Sequence, residues 1–156
     1  MKENELYQYA LFLLSRRDYA TGELRTRIRQ RVYEKNDGKV DDLIIDNVIQ
    51  RLMELNYLDD QRVIGVYLRS YARKPYGPNR IKQTLRQKGF AAELIDHVFL
   101  HCDIDWFALA EESRIKKFGT DIPKDFKEKA KQIRYLQYKG FSGDMIFEQF
   151  NANSAD

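Results

Sequence analysis

Apolar residues recur along this chain at steps of three and four, not at alternate positions, and each run stops at a turn signal. Leu6, Ala10, Leu13 and Leu14 make the first such stripe. Leu24, Ile28 and Val32 follow at i, i+4 and i+8, with Thr21 as the expected N-cap. Asp41 or Asp42 opens a third helix, in which Leu43, Val48, Leu52 and Leu55 are expected to face inward. Asp59-Asp60 precedes a fourth over 62–74, with Val63, Val66, Tyr67 and Tyr71 on its apolar side and Pro75 ending it. The fifth runs over 78–88 and closes at Gly89, with Phe90 as the apolar contact of a Schellman ending. Helices over 93–101, 106–118, 123–139 and 142–150 complete the pattern. Nothing alternates with a period of two, so the fold class is all-α.

The helices are written as a repeat. Lys88-Gly89-Phe90 returns as Lys139-Gly140-Phe141, 51 positions later, and Glu93-Leu94-Ile95 aligns with Asp144-Met145-Ile146 at the same offset. Phe99 falls on Phe150 and Leu85 on Leu136. Asp42-Leu43-Ile44 matches Glu93-Leu94-Ile95, again 51 apart, whereas Leu24, Ile28 and Arg29 align with Ile81, Leu85 and Arg86 at 57. The difference fits a longer loop around Asn36-Asp37-Gly38. Repeats of this length stack on their neighbours. The organisation expected is three tandem three-helix repeats, 1–58, 59–102 and 103–156, in an elongated, curved arrangement.

Composition narrows the class without changing the fold. The chain has 156 residues, 43% of them hydrophobic and 33% charged, with three prolines and eight glycines. Its one cysteine, Cys102, has no partner for an internal disulfide, which suits a reducing compartment. No apolar run approaches the roughly 20 residues that span a bilayer. The expectation is a soluble cytoplasmic protein with no targeting segment and no membrane association.

Charge is where the sequence departs from an ordinary helical protein. Net charge is only +3, but its sign alternates in blocks. Basic residues dominate 16–31, acids dominate 34–60, and acids alone occupy 93–112, after which 113–139 is basic again. Between them, residues 61–92 hold eight Lys or Arg and no Asp or Glu, where 24 acids spread over 156 residues would place about five. Repulsion among like charges costs folding energy, and a polyanionic partner offsets it. Arg62, Arg69 and Arg73 share a face at i, i+7 and i+11, with Lys74 following; Lys82 and Arg86 share one at i, i+4. Guanidinium groups on rigid helices suit phosphates and carboxylates. The bland alternative is a solvated helix face.

Tyr76, in Pro75-Tyr76-Gly77-Pro78, serves either as a ring for stacking on a base or as a plug for the corner between helices. Gly77 reads as a residue of turn geometry. Arg25 and Arg29, with Arg27 and Arg31 beside them, repeat the basic theme in the first repeat; Lys124, Lys127, Lys131 and Arg134 do so in the third. Signals for catalysis are poor. His97 and His101 lie at i, i+4 beside Cys102, but no fourth ligand completes a metal site, and no phosphate-binding glycine loop or nucleophile elbow is present. Asp41-Asp42 and Asp59-Asp60 read as helix starts. Neither an enzyme nor a cofactor is expected.

The assembled motifs resemble the RecX family of regulatory proteins. The likeness is densest from 55 to 90: Tyr57-Leu58-Asp59-Asp60, Arg62, an arginine-rich helix, Tyr76-Gly77-Pro78 with Arg80-Ile81 and Leu85, and Lys88-Gly89-Phe90. Leu13-Leu14, Arg16-Arg17-Asp18 and Glu23-Leu24 extend it into the first repeat. Val63-Ile64 departs from the family, which usually carries an aromatic and then a small residue there. The resemblance implies tandem three-helix repeats that lie along the groove of the RecA–DNA filament, inhibit strand exchange, ATP hydrolysis and co-protease activity, and can touch DNA. The track expected is Arg25, Arg29, Arg62, Arg69, Arg73, Lys74, Tyr76, Lys82, Arg86, Lys127 and Lys131, on a monomer. Two other classes stay open: a direct nucleic-acid binder of tandem helix-turn-helix type, and a structural adaptor for which the basic window is incidental.

Overall fold

The computed structural model describes residues 2–151. Met1 and 152–156, the last of which belong to the expected third repeat, lie outside the described residues. Among those described there are nine helices and no strand. They are α1 (Glu3–Arg16), α2 (Thr21–Lys35), α3 (Asp42–Glu54), α4 (Asp60–Ala72), α5 (Pro78–Gln87), α6 (Ala92–Leu100), α7 (Trp106–Phe118), α8 (Phe126–Tyr138) and α9 (Gly143–Asn151). None is long and apolar enough to cross a membrane.

Packing divides the chain into two compact units. The amino-terminal unit comprises Met1–Gly65 and Leu85–Asp96, and the carboxy-terminal unit Val66–Thr84 and His97–Asp156. In the first, α1, α2 and α3 pack on one another. Their shared core is Leu6, Tyr7, Ala10 and Leu13 of α1, Leu24, Ile28 and Val32 of α2, and Ile45, Val48, Ile49 and Leu52 of α3, closed by Tyr19 and Leu58. In the second, α7, α8 and α9 pack around Ala110, Leu136, Phe141, Ile146 and Phe150. Arg114 is also buried here. Its Nε donates to Gln149 Oε1 at 2.8 Å, and its guanidinium reaches the Gly119 and Asp121 carbonyls at 3.4 Å. A buried guanidinium is tolerated because carbonyl and amide oxygens replace its water.

Three details of the sequence reading change. Leu43 and Leu55 face outward, as does Val66, and Ile45, Ile49, Ile64 and Leu68 take the inward positions. Leu43 lies two places before Ile45, and Val66 two places from both Ile64 and Leu68, about 200° around a helix that turns 100° per residue; Leu55 lies past the end of α3. The fourth helix stops at Ala72, so Arg73 and Lys74 belong to the connection. The Pro75 ring disfavours helical geometry at Lys74, whose N–H instead bonds three residues back to Tyr71. The eighth helix starts at Phe126, three residues later than expected, because the Asp125 side chain caps it by accepting from the Lys127 N–H at 3.2 Å.

The start of α2 is also capped differently. Thr21 is the first helical residue, and Ala20 at the N-cap offers no side chain. The cap comes from 39 residues away: the Asp60 carboxylate accepts the Thr21 N–H at 3.0 and 3.2 Å and the Thr21 hydroxyl at 2.9 Å. Asp60 thus serves two helices, its own first turn and the positive end of α2. Burial pushes its carboxyl above the ordinary 3.8, outweighing the opposing Thr21 hydrogen bonds. A raised folded-state value means that the fold favours the protonated acid. That contribution is complete below 3.8 and is lost as pH rises through the raised value. Asp60→Ala is therefore expected to cost about 1–2 kcal/mol at neutral pH, whereas Asp60→Asn keeps the acceptor and costs little. Urea denaturation across pH checks the sign: wild type should lose stability relative to Asp60→Asn as pH rises from below 3.8.

Candidate anion-binding surface

Four arginines of the amino-terminal unit are answered by its own acids. Arg25 and Arg29, exposed on successive turns of α2, pair with Asp46 and Asp42 of α3. Arg62 pairs with Asp18 at 3.4 Å, and Arg17 meets both carboxylate oxygens of Glu23 at 3.0 and 3.1 Å. Arg31 turns inward over the Tyr9 ring, 4.8 Å from its centroid. Arg86 is exposed in the last turn of α5. The pairs of Arg25, Arg29 and Arg62 sit in solvent, where such contacts contribute about 0–1 kcal/mol and are readily exchanged for an external anion.

The carboxy-terminal unit treats its cations differently. Arg69, Arg73 and Lys74 are exposed, and none is in an ion pair among the described residues. Lys127 and Lys131 are exposed one turn apart on α8, while Lys124 falls in the loop before it. Lys82 is half-buried, with its ammonium 5.1 Å from the Phe99 ring, which stacks on Trp106. Tyr76 is half-buried at the corner between α4 and α5. Arg80 and Lys139 each lie over its ring, 4.1 Å from the centroid, and Arg80 also faces Tyr138 at 4.9 Å. Tyr71 packs beside Tyr76 at 6.3 Å, with the Lys74 ammonium 5.4 Å from the Tyr71 ring. A ring so attended by cations is a corner piece with a charged rim, not a bare stacking platform.

What holds this corner is backbone. The Gly77 N–H donates to the Lys139 carbonyl at 2.7 Å, and the Asn79 N–H donates to the Gly140 carbonyl at 2.9 Å. The unpaired donors that open α5 thus meet the unpaired acceptors that close α8, each satisfying the other's dipole. Lys139 Nζ donates to the Lys74 carbonyl at 3.3 Å, and Arg80 reaches the Tyr138 carbonyl at 3.4 Å. Such closeness requires glycine. Gly77 has no left-handed backbone, so the turn-geometry reading of it is corrected: what excludes a side chain is space. A Cβ there would lie 2.4 Å from the Gly140 carbonyl carbon. The amino-terminal unit repeats the device, for a Cβ on Gly22 would stand 2.8 Å from the Gly89 carbonyl oxygen. Gly89 and Gly140 themselves have φ of +97° and +99°, which lets Phe90 and Phe141 bond back to Leu85 and Leu136 as Schellman endings. Each Lys-Gly-Phe turn therefore seats on the glycine that opens an earlier helix.

Comparison with known proteins bears on what this arrangement belongs to. Residues 59–98 match the pattern of the RecX second three-helix domain and 103–149 that of its third. Regulatory protein RecX of Salmonella typhimurium (strain LT2) is 38% identical over 154 residues, covering 97% of this chain and 92% of that protein. This chain belongs to the RecX family. Regulatory protein RecX of Salmonella typhi shows the same identity and coverage. The fold is likewise shared with solved structures: RecX from Lactobacillus salivarius superposes with a TM-score of 0.76 at 21% identity, covering 99% of this chain and 97% of that one. A second RecX structure gives 0.70 at 19% identity, over 96% and 71%. The nine helices are an all-α repeat fold.

Arg80 and Lys139 of this RecX chain read in sequence only as members of turn motifs, yet both sit on Tyr76. No local pattern links residues so far apart; the one signal was the recurrence of Lys-Gly-Phe itself. The His97 and His101 rings lie tilted at 45° with centroids 4.5 Å apart, and a His101 ring nitrogen lies 2.8 Å from the His97 carbonyl oxygen. Among the described residues no group of three or more metal-ligating side chains converges. The glycine seat gives a direct test. Gly77→Ala is expected to cost about 2 kcal/mol through overpacking against fixed backbone. Gly143→Ala, whose added methyl would meet only Phe147 ring atoms at 3.5 Å, should leave stability unchanged or higher. Thermal melts of the two variants separate crowding at Gly77 from a general cost of replacing glycine.

Proposed function

We propose that this RecX protein is a non-enzymatic regulator that binds the RecA–DNA filament and inhibits its recombinase, ATPase and co-protease activities. The observation that carries the reading is the acid-free window, 61–92, whose Arg69, Arg73 and Lys74 are exposed and have no ion-pair partner among the described residues. In the proposal Arg69, Arg73, Lys82 and Arg86 make the central ionic contacts. Lys127 and Lys131 continue the track on α8. Arg25, Arg29 and Arg62 join it by exchanging weak internal pairs for filament anions, and Tyr76 shapes the corner beside Lys74. Many modest contacts spread over repeats 1–58, 59–102 and 103–156 give avidity without a deep pocket. A cytoplasmic monomer suffices, because the repeats supply multivalency themselves, and no cofactor is required.

The name carried by the relatives, regulatory protein RecX, supports a regulatory role. Direct binding of naked nucleic acid is the competing reading, supported by the exposed lysines one turn apart on α8. Charge reversal distinguishes the two. Arg69→Glu with Arg73→Glu is expected to raise the concentration needed to inhibit RecA ATP hydrolysis on single-stranded DNA at least about tenfold, the effect of about 1.4 kcal/mol, with helicity by circular dichroism intact. Unchanged inhibition would remove this surface from the account. Capture by naked DNA, but not by RecA-coated DNA, would favour the competing reading.

A further inference from the structure

The corner around Tyr76 gathers more positive charge than the fold has use for. Lys74, Arg80 and Lys139 surround two tyrosine rings, and Lys116 is close enough to act on Lys139. None of the four is in an ion pair among the described residues. Arg17, Arg25, Arg29 and Arg62 of the amino-terminal unit each meet a carboxylate, so this chain does pair some of its clustered cations, and at this corner it does not. Burial, and then the nearby Arg80 and Lys116 charges, hold the Lys139 ammonium below its ordinary pKa. The fold thus bears both desolvation and like-charge repulsion at one lysine, offset only by an aromatic face and one carbonyl.

The geometry suits an incoming anion. Arg80 is held between the Tyr76 and Tyr138 rings, and its hydrogen bond to the Tyr138 carbonyl is long at 3.4 Å. A guanidinium fixed by its faces keeps its edge donors for a ligand, and its rotamer freedom is already spent before the ligand arrives. Beside it lies a cavity of about 160 Å³ lined by Tyr71, Lys74, Tyr76, Arg80, Ile81 and Thr84. That wall offers hydroxyl, ammonium and guanidinium groups and no carboxylate. The cavity admits a small tetrahedral anion.

Resting on the filament-binding reading above, we propose that this corner is a phosphate site for the nucleic-acid backbone, with Arg80, Lys74 and Lys139 as donors and Tyr76 as the surface that fixes them. Several cations at one corner exceed what a single carboxylate neutralises. They match a polymer that carries a negative charge every few ångströms along each strand. An acidic protein segment is the other ligand with this charge, and the test separates it.

The full-length chain is titrated into a short fluorescein-labelled oligothymidylate across a series of salt concentrations, with poly-glutamate of equal charge as a parallel probe and inorganic phosphate as competitor. Inhibition of RecA ATP hydrolysis is measured on the same samples. The variants are Lys74→Gln, Lys139→Gln and Arg80→Gln. Lys139→Gln removes a repelled charge, so its melting temperature should equal or exceed that of wild type, which excludes misfolding as the cause of weaker binding. Each variant is expected to weaken oligothymidylate binding about tenfold and to make the salt slope shallower by about 0.7 for each phosphate no longer neutralised. Oligothymidylate affinity unchanged in Lys139→Gln and Lys74→Gln, with wild-type inhibition of RecA intact, overturns the phosphate site and leaves the filament reading standing. Tighter binding of poly-glutamate, abolished in the same variants, also overturns it by assigning the corner to a carboxylate partner. A wild-type protein that binds oligothymidylate through this corner but does not inhibit RecA overturns the filament reading alone.

Discussion

Two backbones meeting with no Cβ between them set the position of every charge at the Tyr76 corner. Gly77 opens α5 against Gly140, which closes α8, and the approach is close enough for a 2.7 Å hydrogen bond from the Gly77 N–H to the Lys139 carbonyl. From that contact the rest follows. Arg80, three residues into the helix, is carried to the Tyr138 carbonyl and ring. Lys139, in the turn itself, is carried over Tyr76 and onto the Lys74 carbonyl. A methyl group at Gly77 would separate the two helix ends and move Arg80 away from Tyr138 and Lys139 away from Tyr76. Gly22 and Gly89 apply the same constraint in the amino-terminal unit, where the neighbouring Thr21 N–H is capped by Asp60.

The ion pairs of Arg17, Arg25, Arg29 and Arg62 all lie in the amino-terminal unit. This unit pairs Arg25 and Arg29 of α2 with Asp46 and Asp42 of α3, and lays Arg16, Arg31 and Arg51 over aromatic rings. The carboxy-terminal one holds cations against rings and carbonyls, which stabilise a positive charge without neutralising it. Such a surface retains its field and directs it outward. Loss of some folding energy is the physical consequence, of the kind that a polyanionic partner would offset.

How far the sequence could be read depends on the range of the interaction. Helical periodicity is local, so all nine helices were legible, and Trp106–Phe118 was bounded to the residue because Asp105 caps it and Gly119 ends it. The Lys-Gly-Phe repeat was legible because it is written twice. Inward and outward positions were misjudged at Leu43, Leu55 and Val66, where hydrophobicity alone does not say which side of a helix meets a neighbour. Partners were hidden altogether when distant in sequence. Asp60 on Thr21, Asp46 on Arg25 and Lys139 on Tyr76 have no signature in any window. Gly77 was visible but misread, since a glycine needed for space looks the same as one needed for a turn.

Amide hydrogen exchange at the first turn of α5 tests the central constraint most directly. First-turn N–H groups of a helix have no intrahelical acceptor and ordinarily exchange quickly. If Gly77 and Gly140 are seated backbone to backbone, the Gly77 and Asn79 amides should be protected to the same degree as Leu136 in the interior of α8. Exchange at those two amides as fast as at Asn4 and Glu5, at the start of α1 where no side chain caps the helix, would contradict the seat and the corner built on it.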